Sequence, residues 1–121
     1  MTKPIGSLLF ILFPLLLFNF GGNLRFVEGV VGQQKSWCIA KYTATGNQLV
    51  DVIQFACSYI GNCSMIKPGG ACFYPNNIIA HASAVMNIYY KLFKKNPWNC
   101  DFNGAALTVI TDPSYDKCIY E

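Results

Sequence analysis

Six cysteines, all beyond residue 37 of a 121-residue chain, constrain this fold more than any other feature. Cys38, Cys57, Cys63, Cys72, Cys100 and Cys118 form an even set, and a short apolar leader precedes them. In an oxidising compartment such a set reads as three disulfides rather than as metal ligands or reactive thiols. Six cysteines allow 15 pairings, and spacing alone does not choose among them.

The leader begins with Lys3 as its single early charge and runs almost purely apolar from Leu8 to Phe20, broken by Pro14 and Asn19. This is the length of a signal-peptide core, about 7–15 residues, whereas a membrane-spanning helix needs about 20. Residues 1–29 are therefore expected to be a signal peptide. Small residues at Gly21, Gly22, Gly29 and Gly32 bound the cut between 22 and 32, with Gly29 favoured. A signal anchor is the alternative. Residues 30–35 form a short lead-in, and residues 36–120 are expected to be one domain. The chain ends Cys-Ile-Tyr-Glu rather than in the hydrophobic tail of a lipid-anchor signal. The expectation is a secreted, extracellular protein with no membrane span in its mature chain and no GPI-anchor signal.

From Val30 onward there are seven lysines against five acidic groups, a net charge of +2. Nucleic-acid binding calls for clustered Lys and Arg, and only Lys91, Lys94 and Lys95 cluster. They stand where a helix is expected to end, and cations there complement its dipole. No nucleic-acid partner is expected. A domain of this size buries a limited core, which three disulfides would supplement.

Trp37-Cys38-Ile39-Ala40 reads as a short strand or extended edge. The cluster Thr43 to Asn47 supplies capping groups, and apolar residues at Leu49, Val52, Ile53, Ala56, Cys57 and Ile60 follow helical spacing over Gln48–Tyr59. Gly61 is the expected stop. Lys67-Pro68-Gly69-Gly70 marks a loop. Asn76 or Asn77 is the expected cap of a second helix running to about Phe93, with Ile79, Ala82, Met86, Tyr89, Tyr90 and Phe93 at three-to-four spacing, and Pro97 blocks continuation. Ala105–Thr111 reads as a strand. Asp112-Pro113-Ser114 makes a turn, with Cys118-Ile119-Tyr120 as a short returning partner. The fold class is α+β: two helices, a small sheet and long loops held by disulfides.

The chemistry available is narrow. Glycoside hydrolysis needs two flanking carboxyl groups, but Asp101, Asp112 and Asp116 stand in loop or turn contexts that favour aspartate for backbone reasons. His81 is the only histidine, and its place within a helix reads as packing rather than as a catalytic base. There is no Cys-x-x-Cys pair for zinc, and Gly69-Gly70 lacks the strand–helix context of a phosphate cradle. Neither enzyme activity, nor a metal, nor a cofactor is expected.

An aromatic surplus remains. Trp37, Tyr42, Tyr59, Phe73, Tyr74, Tyr89, Tyr90, Phe93, Trp98, Phe102, Tyr115 and Tyr120 exceed what so small a core needs. Tyr and Trp pair a flat apolar face with a polar handle, which suits a pyranose ring with its C–H face and hydroxyl rim. Asn62-Cys63-Ser64 is a glycosylation triplet whose middle residue is a half-cystine candidate.

Several stretches resemble the plant X8 domain, also called carbohydrate-binding module family 43. They are Trp37-Cys38-Ile39-Ala40-Lys41, Phe55-Ala56-Cys57, Asn62-Cys63-Ser64, Cys72-Phe73-Tyr74-Pro75-Asn76, the run His81 to Tyr90, Cys100 to Ala106, Asp112-Pro113-Ser114 and Cys118. The resemblance covers about Ser36 to Tyr120 and is closest to the standalone secreted type known from pollen allergens. Ser58 and Asn62 depart from the usual glycine and aspartate, and Asn62 creates the triplet. The resemblance implies two packed helices with a small antiparallel sheet, and the pairing Cys38–Cys100, Cys57–Cys63 and Cys72–Cys118. It also implies non-catalytic binding of β-1,3-glucans of the callose or laminarin type in the plant cell wall. The candidate ligand-binding residues are Tyr74, Tyr89, Tyr90 and Trp98, with Asn87 as either a hydrogen-bonding neighbour or an internal polar group, in a monomer. The alternative is a secreted cysteine-rich protein-interaction or signalling module.

Overall fold

A computed structural model describes residues 34–121, so the expected leader and the start of the lead-in lie outside the described residues. Strand β1 spans Trp37–Ala40, helix α1 Gly46–Ile60, helix α2 Ile78–Leu92 and strand β2 Ala106–Val109, with short 3-10 turns at Ser64–Ile66 and Pro97–Asn99. β1 and β2 pair antiparallel, with Trp37 opposite Val109 and Ala40 opposite Ala106. The result is a small disulfide-stabilised α+β domain.

Local chemistry sets the helix ends. Thr45 and Gln48 form a reciprocal capping box at the start of α1, each side chain bonded to the other's backbone N–H. The Gly61 amide returns to the Cys57 carbonyl at φ 114°, a backbone that a side chain would strain. Asn77 caps α2 by accepting from the Ala80 amide at 2.8 Å. Beyond α2, Lys94 and Lys95 both take left-handed backbone, and the Lys95 amide reaches back to the Tyr90 carbonyl. The lysine cluster thus closes the chain around the helix end. Lys95 also donates to the Ser36 carbonyl at 2.8 Å and lies 5.6 Å above the Trp37 ring.

The main core lies between α1, α2 and β1: Leu49, Val52, Ala82, Met86 and Tyr90 pack with the Cys38–Cys100 bridge. A second cluster joins Trp37, Ala84 and Tyr120 to Cys72–Cys118, and a third packs Ala56 and Val85 against Cys63, which bonds Cys57. Each bridge is embedded in one of these clusters, so covalent and apolar cohesion coincide.

β1 has a free edge, and α2 satisfies it with side chains. The Cys38 amide donates to Asn87 Oδ1 at 3.0 Å, and the Ala40 amide donates to Ser83 Oγ at 2.9 Å. Ser83 and Asn87 are one helical turn apart, and Cys38 and Ala40 are two strand positions apart. These repeats nearly match, at about 6 Å along a helix and about 6.8 Å along a strand. Asn87 also donates to the Glu121 carbonyl. A leucine at Asn87 would orphan a buried amide, a loss of about 1–3 kcal/mol. Asn87→Leu is accordingly expected to lower the urea midpoint with little change in slope.

The structure corrects one element. Cys118-Ile119-Tyr120 is not a strand. Tyr115 and Cys118 exchange backbone hydrogen bonds with one another, which closes a tight turn and leaves Ile119 exposed. β2 is also shorter than the expected strand, because the chain turns away after Val109.

Candidate binding groove

Two aromatic residues leave α1 on its outward side, Phe55 and Tyr59, one turn apart. Tyr89 on α2 and Phe93 at its C-cap stand in the same relation. α1 and α2 pack together, so the two pairs meet, and Phe102 joins them from the loop before β2. Tyr89 is the hub, with ring centroids 5.3 Å from Phe55, 5.5 Å from Tyr59, 4.6 Å from Phe93 and 5.3 Å from Phe102. Edge-on and tilted contacts like these fix the rings without hiding them. Phe55 and Tyr59 remain about half exposed.

One end of this cluster opens into a groove of about 470 Å³ floored by Val52, Phe55, Tyr89 and Phe102. Trp98 stands at its side on the 3-10 turn and is 73% exposed, an unusual position for so large an apolar ring. The rim is polar, with Gln48, Asp51, Asn99, Asp101 and Asn103. Gln48 has committed its side-chain oxygen to the Thr45 amide, so it presents its NH₂ donors. The two aspartates present acceptors. Asn99 Oδ1 is buried with no hydrogen-bond partner among the described residues. An aromatic floor with mixed donors and acceptors on its rim fits a neutral, hydroxyl-rich ring. The lining carries two carboxylates and no cation among the described residues, so it disfavours anionic ligands.

The expected site residues separate accordingly. Tyr89 and Trp98 come together in the groove. Tyr74 is exposed elsewhere, its ring against Phe73, which stacks on His81. Tyr90 is buried, with its hydroxyl bonded to Ser36 Oγ at 2.8 Å and its face in the core. Asn87 is buried as well and spends both ends of its amide on backbone groups. Tyr90 and Asn87 therefore stand outside this groove, Tyr90 in the core and Asn87 at the edge of β1. Phe102 is in the groove and was counted only in the aromatic surplus, while Phe55, Gln48, Asp51, Asp101 and Asn103 were not among the binding candidates. The available signal was the pair of outward aromatic repeats at i, i+4 on both helices.

A second groove, of about 560 Å³, lies along α2 and the C-terminal segment. It is lined by Ile88, Leu92, Ile119 and Tyr120, with Lys91 and Glu121 paired at its edge. The Lys91 ammonium holds the Glu121 carboxyl below the usual carboxylate range, and burial pushes the Tyr120 phenol well above its ordinary value. Among the described residues no His, Cys, Asp and Glu cluster could hold a metal ion, and no helix is long and apolar enough to cross a membrane.

Comparison with known proteins agrees with this architecture. The X8 domain family model matches residues 36–107. A glucan endo-1,3-beta-D-glucosidase of Olea europaea is 47% identical over 83 residues, covering 69% of this chain and 18% of the enzyme. Glucan endo-1,3-beta-glucosidase 7 of Arabidopsis thaliana is 42% identical over 84 residues, covering 69% of this chain and 17% of the enzyme. The chain thus spans less than a fifth of the length of either glucosidase. The major pollen allergen Ole e 10 of Olea europaea is similar on its own scale, 41% identical over 87 residues and 71% of each chain. With the family model matched over most of the described domain, and an allergen of comparable length aligned across most of its own sequence, this chain belongs to the X8 domain family.

Proposed function

We propose that this domain binds β-1,3-glucan without cleaving it, as a secreted protein of the plant cell wall, through the groove between Phe55, Tyr89, Phe102 and Trp98. The observation that carries the reading is the polar-rimmed aromatic floor itself. Relatives named for endo-1,3-β-glucan hydrolysis share this domain as a small part of their length, which supports a glucan as the ligand. Stacking on the rings supplies most of the affinity, and the rim orients the hydroxyls. A glucan of many identical rings gives such a site repeated binding registers along one chain.

Affinity electrophoresis in gels containing laminarin tests this, with retardation relative to a laminarin-free gel as the expected result. Unchanged mobility, beside a clear shift for a known binder, would sink the reading. A reducing-sugar assay on the same polymer is expected to stay at background.

The apolar groove at Leu92 and Ile119 favours a second reading, a protein-interaction module. Retention in the wall that survives exhaustive β-1,3-glucanase digestion would support that reading over the first.

A further inference from the structure

Asn62-Cys63-Ser64 is the only Asn-x-Ser/Thr triplet in the chain, and the binding reading has no use for it. Asn62 and Ser64 are both exposed at the end of α1, as an acceptor side chain and its hydroxyl partner must be. The residue between them is neither exposed nor extended. Cys63 is 2% exposed, packs with Ala56 and Val85, and is bonded back to Cys57 across six residues. Its backbone is left-handed, at φ 48° and ψ 40°, which a non-glycine residue rarely adopts. The Ser64 amide donates to Asn62 Oδ1 at 3.0 Å, so the folded triplet is curled on itself. A transferase must draw all three residues into its cleft. In the folded domain the bridge tethers the middle one to the helix.

We propose that Asn62 is an N-glycosylation acceptor that is filled only before the Cys57–Cys63 bridge closes, so that oxidation of these two thiols to the bridge sets its occupancy. The proposal rests on passage of the chain through the secretory compartment and is independent of what the groove binds. In the transfer, Asn62 Nδ2 attacks the anomeric carbon of a lipid-pyrophosphate-linked oligosaccharide. The new C–N bond replaces the C–O bond to pyrophosphate, which departs with the electron pair, and Nδ2 gives up one proton. Closure competes with this step: the disulfide of a thiol oxidoreductase in the same compartment takes up the two electrons and two protons of the Cys57 and Cys63 thiols and leaves as a dithiol. A six-residue loop brings its thiols together readily, yet disulfide formation still takes seconds to hours. Both outcomes are therefore produced from one chain.

The test expresses the full chain with its own leader in eukaryotic cells and reads occupancy by intact mass before and after peptide-N-glycosidase. Wild type is expected as a mixture, and Asn62→Gln as a single unmodified species. Cys57→Ala with Cys63→Ala keeps an Asn-x-Ser triplet but removes the bridge, and occupancy is expected to rise severalfold. Because that variant is exposed to misfolding, occupancy is read on the intracellular pool. Wild type labelled during a brief dithiothreitol pulse supplies a second measure, with the same rise expected. Absence of sugar on every form overturns the site. Occupancy that is the same with and without the bridge, and with and without reductant, overturns the gating. Laminarin binding is scored separately on Asn62→Gln, where it is expected to be unchanged.

Discussion

Replacing Cys38 and Cys100 together by alanine is expected to cost about 4 kcal/mol, the largest single loss available in this domain. The bridge closes a loop of 62 residues, and the loop-entropy contribution grows with the logarithm of that length. Cys72–Cys118 spans 46 residues and is expected to contribute about as much, whereas Cys57–Cys63 spans six and is expected to contribute about 2 kcal/mol. Context sharpens the order. Cys38 is fully buried, its amide is held by Asn87, and it lies in the core cluster that joins α1, α2 and β1. A domain of about ninety residues has a total stability of about 4–13 kcal/mol, so the first loss can exhaust it. Urea unfolding of the three double variants checks the ranking. Equal losses for the long and short bridges would mean that loop closure in the unfolded chain is not what the bridges contribute.

Trp98→Ala is expected to abolish most glucan binding while leaving the fold intact. Trp98 sits on a three-residue turn with its ring largely in solvent, so truncation removes little internal packing. A dominant aromatic anchor is worth about 2 kcal/mol, which is about thirtyfold in Kd. Tyr74→Ala serves as the control, because that ring is equally exposed but stands with Phe73 and His81 rather than in the groove. Titration calorimetry with laminarin should show the loss for Trp98→Ala and none for Tyr74→Ala, with both proteins melting close to wild type. The reverse pattern would move the site to the Tyr74 surface.

The helices were legible because their apolar spacing and their caps agree. Thr45, Gln48, Gly61 and Asn77 act at the ends that periodicity marks. The third strand was misread because Cys118-Ile119-Tyr120 has strand composition, while the Tyr115–Cys118 hydrogen bonds fold that segment onto itself. In the site, the neighbours Tyr89 and Tyr90 could not be told apart by residue type. They point about 100° apart on a helix, and only the packing of α2 against β1 decides which one faces inward. For Asn87 the sequence leaves two readings, a ligand neighbour or an internal polar group, because residue type does not tell which partner its amide meets. Its task is to complete the edge of β1, which depends on a strand 49 residues away in sequence. Phe55 was hidden for the opposite reason: on α1 alone it belongs to the solvent side, and it joins an aromatic cluster only when α2 brings Tyr89 against it.

The most direct test of the groove as the glucan site is a ¹H–¹⁵N NMR titration of the oxidised domain with a laminarin oligosaccharide. Shifts are expected to concentrate on Gln48, Asp51, Phe55, Tyr89, Trp98 and the Asp101–Asn103 loop, with the Trp98 indole N–H among the largest. Tyr74, Ile119 and Tyr120 should stay still. Shifts centred on those last residues, with the Trp98 indole unmoved at saturation, would contradict the assignment.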